Sequence, residues 1–202
     1  CGMGRTGHLF ACEADGIAPD ILCIAKGLGA GYQPIGAMIC TRTIHDCIAQ
    51  GTGFFQHGHT YLGHPVAAAA GRAVVREMLM QNLIPRVREM GAKLESRLRA
   101  CFAEHPHVGD IRGRGLFWGL EFVADRSTKT PFSPKLGFAG KLKKAAFDAG
   151  LICYPMAGTR DGRHGDHVLL APPFILNETQ VEEITTRLSH AINHVIASNV
   201  TG

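Results

Sequence analysis

With 202 residues, 46% of them apolar and 19% charged, the chain is ordinary globular material, long enough for one sizeable core or two small ones. A formal net charge of +4 with 11 histidines leaves no concentrated basic face of the kind nucleic-acid binding requires, and no apolar run reaches membrane-spanning length. The cysteines Cys1, Cys12, Cys23, Cys40, Cys47, Cys101 and Cys153 are unevenly spaced with no Cys-x-x-Cys pair, so they read as reduced thiols of a cytoplasmic protein, not a disulfide framework.

The chain opens on Gly2-Met3-Gly4-Arg5-Thr6-Gly7, which matches the Gly-x-Gly-x-x-Gly dinucleotide fingerprint letter for letter. That fingerprint needs a strand before it and a helix opening at its end. The residues up to Gly16 and Pro19 offer no such helix, which argues against nicotinamide or flavin binding. The apolar run Ile21-Leu22-Cys23-Ile24-Ala25, with Pro19-Asp20 before it and glycines after, predicts a buried strand at the edge of a parallel sheet. Lys26 closes this run and is followed at once by Gly27-Leu28-Gly29-Ala30-Gly31. It has two readings: a strand-end lysine reaching solvent, or an amine held in a partly apolar pocket with a flat cofactor over the glycine turn, as a Schiff-base lysine requires.

Ile35 to Cys40 predicts a second strand and Thr43 to Ala49 a short helix. The stretch from Gly51 to Pro65 is too rich in glycine for a regular element. It carries His57, His59 and His64. Alternate residues on an extended segment point the same way, so His57 and His59 could share a metal, but no carboxylate or cysteine in the segment completes a site. Loop hydrogen bonding is the favoured role for these rings. Pro65 suits the first turn of a helix running to about Met80.

Ile84, Val87, Met90, Leu94, Leu98 and Phe102 recur at spacings of three and four, one face of an amphipathic helix that Pro106 ends. Strands follow at Val108 to Gly113 and Leu116 to Val123, then a helix from Lys135 to Ala149 stopped by Gly150. Leu151 to Tyr154 and His167 to Ala171 predict strands around a polar loop that holds Arg160 and Arg163. The last helix has Asn177 as cap and Gln180 three residues on, a variant capping box, with Val181, Ile184, Leu188, Ile192 and Val195 as its buried stripe. Strands interleaved with helices in the first part predict an α/β layer, and the later part a small α+β unit. The boundary falls near residues 80 to 85.

The ordered pattern from Gly2 to Gly7, then Asp20-Ile21-Leu22 and Ala25-Lys26-Gly27-Leu28-Gly29-Ala30-Gly31, closely resembles the pyridoxal-phosphate attachment region of class III aminotransferases. His57-Gly58-His59-Thr60-Tyr61-Leu62-Gly63-His64-Pro65 and Arg112-Gly113-Arg114-Gly115-Leu116-Phe117-Trp118-Gly119 are similar to later segments of the same family. The resemblance implies fold type I, with residues 1–83 as the C-terminal part of a large cofactor domain and 84–202 as a small α+β domain. It implies pyridoxal 5'-phosphate as cofactor and Lys26 as the catalytic lysine that bonds to it. It also implies a homodimer in which Thr60 donates to the cofactor phosphate of the other subunit. The loop before Val168 resembles the region where the family places an arginine for a substrate carboxylate, a role suited to the planar guanidinium fork. Arg163 and Arg160 are both candidates, and a solvated surface role is the alternative for each.

The implied reaction moves an amino group from an amine or ω-amino acid to an oxo acid such as pyruvate. A related aminomutase or decarboxylase, or a non-catalytic truncated chain, are the alternatives. The family's Asp-Glu pair, whose Asp faces the pyridine nitrogen, should lie just before Cys1. The expectation is therefore a C-terminal fragment, inactive as an isolated polypeptide.

Overall fold

The computed structural model describes residues 2–200, with side chains described through Ser198; Cys1 lies outside them. The chain divides into two compact units, Cys1–Ile84 and Pro85–Gly202.

In the first unit, a 3-10 turn at Ala11–Asp15 precedes strand β1, Ile21–Ile24, which pairs antiparallel with β2, Ala37–Cys40. The register sets Ile21 opposite Cys40 and Ile24 opposite Ala37. The expected edge of a parallel sheet is thus corrected. The link between the strands is a glycine-rich turn with no crossover helix, and a strand that returns without a crossover returns antiparallel. The expected burial is corrected too, since Ile21, Met38 and Ile39 are about half exposed. Only two strands pair here, with no third strand among the described residues. Helix α1 spans Arg42–Gln50. Helix α2, Pro65–Met80, starts with Pro65 in its first turn, and the His64 ring nitrogen accepts from the Ala67 N–H at 3.4 Å. His64 is therefore a helix cap, which supplies one of the orphan N–H groups with an acceptor.

The second unit contains most of helix α3, Leu83–Phe102, then β3 (Val108–Arg114), β4 (Phe117–Phe122), α4 (Phe138–Asp148), β5 (Tyr154–Ala157), β6 (Asp166–Leu170) and α5 (Glu178–Val200). Its four strands form one antiparallel sheet in the order β3-β4-β6-β5. Burial alternates strictly along β4: Trp118, Leu120 and Phe122 point into the core while Phe117, Gly119 and Glu121 are half-buried. The inner face packs with Val87, Leu94 and Leu98 of α3, Leu142 of α4, and Leu188 and Ile192 of α5 in a single apolar cluster.

Two of the expected boundaries in this unit move, each for a local reason. The helix expected from Lys135 begins at Phe138, because Gly137, at φ 62°, separates it from a 3-10 turn at Pro134–Leu136. The strand expected at Leu151 begins at Tyr154, because the Leu151 N–H donates back to the Ala146 carbonyl at 2.8 Å and closes the end of α4 through left-handed Gly150. The cap of α5 has both reciprocal bonds, Gln180 N–H to Asn177 Oδ1 and Asn177 N–H to Gln180 Oε1, each 2.9 Å. A Cβ on Gly91 would lie 2.4 Å from the Gly115 carbonyl oxygen, so glycine lets α3 approach the β3–β4 turn. No helix among the described residues is long and apolar enough to cross a membrane.

Candidate active site

The Lys26 turn begins where β1 ends. Leu28 N–H donates to the Ala25 carbonyl at 3.0 Å, and Gly29 and Ala30 N–H both donate to the Lys26 carbonyl at 3.1 Å. Lys26 itself sits at φ 46°, in the left-handed region that side-chain-bearing residues rarely adopt. Space dictates the glycine at position 29 of this turn. A Cβ on Gly29 would meet the Gln33 carbonyl oxygen at 2.4 Å and Ile35 Cγ2 at 2.8 Å. On α2, a Cβ at Gly71 would approach Ile35 Cδ1 to 3.2 Å, so the helix lies close against this turn.

Lys26 is exposed, and among the described residues its ammonium has no hydrogen-bond or ion-pair partner. The chain does not itself enclose the amine in an apolar pocket. An open apolar groove of about 710 Å³ runs along α2 past Leu28 and Ile35, and neither Lys26 nor Thr60 lines it.

Thr60 lies in the exposed loop before α2. That loop is held by turn bonds, Leu62 N–H to the His59 carbonyl at 2.9 Å and His64 N–H to the Tyr61 carbonyl at 3.0 Å, which leave the Thr60 hydroxyl without a partner among the described residues. The His57 and His59 rings meet edge to face at 5.1 Å. No group of three or more His, Cys, Asp or Glu among the described residues is arranged to hold a metal ion.

Arg160 and Arg163 lie on the β5–β6 loop of the second unit. Both are exposed, and neither guanidinium has a partner among the described residues. The loop beneath them is well defined. Arg160 N–H donates to the His164 carbonyl at 2.9 Å and Gly162 N–H to the Gly158 carbonyl at 2.9 Å. Asp161 Oδ1 accepts from the Arg163 and His164 N–H groups at 2.9 and 2.7 Å, while its other oxygen meets His164 Nδ1 at 2.7 Å. Those bonds, the His164 N–H first, hold the Asp161 carboxyl far below the usual carboxylate range. Sequence reasoning gave Asp161 no role, though an Asp-Gly step is a recognisable turn signal.

Other ionisable groups of this unit are structural. Arg112 pairs with Glu121 at 2.9 Å and with Asp110. Asp166 is buried and accepts from the Ala139 N–H at the start of α4 at 3.1 Å. Burial pushes the Cys153 thiol up to about 11, as for a small hydrophobe and unlike a reactive thiolate.

Comparison with known proteins places these features in a family. The aminotransferase class-III profile matches residues 1–192, and the chain belongs to that family. An aminotransferase of Gibberella zeae is 44% identical over 95% of this chain and 38% of its own length. A transaminase structure from ancestral reconstruction is 36% identical with a TM-score of 0.90, covering 98% of this chain and 43% of its own. An amine transaminase from an uncultivated Pseudomonas species, solved in its PLP-bound form, is 34% identical with a TM-score of 0.86 and covers 96% and 42%. The fold is accordingly that of the fold type I PLP-dependent transaminases, and the family is one of pyridoxal-phosphate enzymes. The chain spans about two fifths of the length of the relatives it matches.

Proposed function

We propose that this chain is the lysine-bearing portion of a pyridoxal-phosphate transaminase, with residues 1–83 in the cofactor domain and 84–202 as the small domain. The observation that carries the reading is Lys26: an exposed amine, unpaired among the described residues, on a strained glycine-lined turn. An amine bonds a carbonyl carbon through its lone pair, and no ion pair among the described residues holds Lys26 in its charged form, so the group fits the cofactor's aldehyde. The unpartnered Thr60 hydroxyl likewise fits a phosphate oxygen, to which it would donate in the partner subunit of a homodimer. When bound, pyridoxal phosphate supplies the carbonyl that takes up the amine and a ring that withdraws electrons from the reacting carbon.

The chain's own residues do the rest. A neutral Lys26 Nζ would take the proton from the reacting carbon of the substrate and hold it for return. Arg163 or Arg160 pairs with the carboxylate of an ω-amino acid donor or of an oxo acid acceptor such as pyruvate, since neither guanidinium is engaged among the described residues. In the intact protein, Lys26→Arg keeps the charge and removes the usable amine. Turnover should fall by about 10⁴-fold or more, with the cofactor's lysine-dependent absorbance lost. Turnover within tenfold of wild type would overturn the assignment.

A further inference from the structure

The segment from Gly2 to Gly7 has no part in the chemistry above, yet it contains three of the buried residues of the first unit. Met3 is 4% exposed, and Gly4 and Gly7 are buried, in a unit where Phe54 and Tyr61 lie open to solvent. Two backbone bonds fold the segment, Gly4 N–H to the Leu9 carbonyl at 3.3 Å and Gly7 N–H to the Gly4 carbonyl at 3.0 Å. Met3 is held at φ 56°, a conformation a methionine adopts only when its surroundings over-determine it.

What Met3 touches explains the arrangement. A Cβ built on Gly27 would lie 2.8 Å from Met3 Cβ, 3.6 Å from its Cγ and 3.8 Å from its carbonyl oxygen. Gly27 is not in the left-handed region, so its backbone would accept alanine; only the space taken by Met3 forbids it. Gly27 directly follows Lys26, which is itself left-handed at φ 46°. Left-handed Met3 therefore closes off the space beside Gly27, the residue that follows left-handed Lys26.

We propose that Met3 is a positioning residue for Lys26: its Cβ–Cγ stem braces Gly27 and so fixes the direction in which the lysine leaves β1. The proposal rests on the reading of Lys26 as the cofactor lysine. A methionine that merely fills space would respond to its own volume, and would neither be coupled to position 27 nor alter the reactivity of position 26.

The test is a compensation pair in the intact protein. Gly27→Ala places a methyl group against Met3 and must drive the two carbons apart by roughly 1 Å, enough to slow amino transfer from a saturating donor by about 10²-fold. Met3→Gly removes the opposing Cβ and relieves the strain at its own position, so Met3→Gly/Gly27→Ala should recover to within about threefold of Met3→Gly alone. A second readout needs no cofactor: the rate at which an N-hydroxysuccinimide ester acylates Lys26 in cofactor-free protein, followed by peptide mass spectrometry. That rate should change in Gly27→Ala and revert in the double variant. If Gly27→Ala does not fold, recovery of soluble protein in the double variant supports the brace, and failure to recover it overturns the brace. A silent Gly27→Ala, or a defect that persists in the double variant, also overturns it. If wild-type Lys26 takes up no cofactor while the acylation rates remain coupled, the functional reading fails and the brace stands.

Discussion

In the second unit Leu94, Leu98, Leu120 and Leu188 are wholly inaccessible to solvent, whereas in the first Ile39, Phe54, Tyr61 and Leu62 are 47% to 77% exposed. The difference comes from layers. The four-stranded sheet of the second unit has one face covered by α3, α4 and α5, so alternating residues along β4 all find partners. The β1–β2 ladder offers only two strands, an arrangement of marginal stability by itself. The second unit thus carries its own core. The first carries the exposed amine and hydroxyl of the candidate site, which have no partner among the described residues.

The largest expected effect separates the two units directly. Leu98→Ala should cost about 3–5 kcal/mol in the 202-residue chain, because the vacated space cannot collapse inside a closed core. Ile39→Ala, which removes a side chain already half in water, should cost less than about 1 kcal/mol. Urea titration followed by Trp118, the only tryptophan, reports the core of the second unit; exchange of the β1–β2 amides reports the first. Equal costs would break the comparison. A larger Ile39→Ala penalty in the intact protein than in this chain would sharpen it, by showing that the face is covered there.

Legibility in the sequence follows the same division. The stripe of α5, its Asn177–Gln180 cap and the strand at β4 were readable because local pattern and local environment agree in a unit that closes on itself. The run Ile21 to Ala25 misled because an apolar stretch records that burial is needed without recording what provides it. Lys26 and its glycines were legible as a turn. The reason for Gly27 was not, since the residue that excludes a side chain there lies far back at Met3. Asp161 escaped for a related reason: its bonds depend on the fold of the loop, although the Asp-Gly step announces a turn.

A smaller effect is expected at Asp161. Its carboxyl is held below the ordinary range in the folded loop, so its contribution is fully present above the unfolded value and is lost as pH falls through the folded one. The Arg163 and His164 amides should stay protected from exchange near neutral pH and lose that protection only in strong acid. Asp161→Asn removes the carboxylate and should weaken their protection at every pH. In the intact protein it should also raise KM for carboxylate-bearing donors by several-fold while sparing plain amines, a modest loss typical of an exposed hydrogen-bonded charge. Equal effects on both donor classes would detach this loop from carboxylate recognition.

The central claim concerns one atom, Lys26 Nζ. Borohydride reduction of the intact, cofactor-loaded protein fixes any lysine–cofactor bond, and peptide mapping then locates it. The account predicts a single cofactor-derived mass addition on the peptide containing Lys26. A tag on another lysine, or none at all, would contradict it.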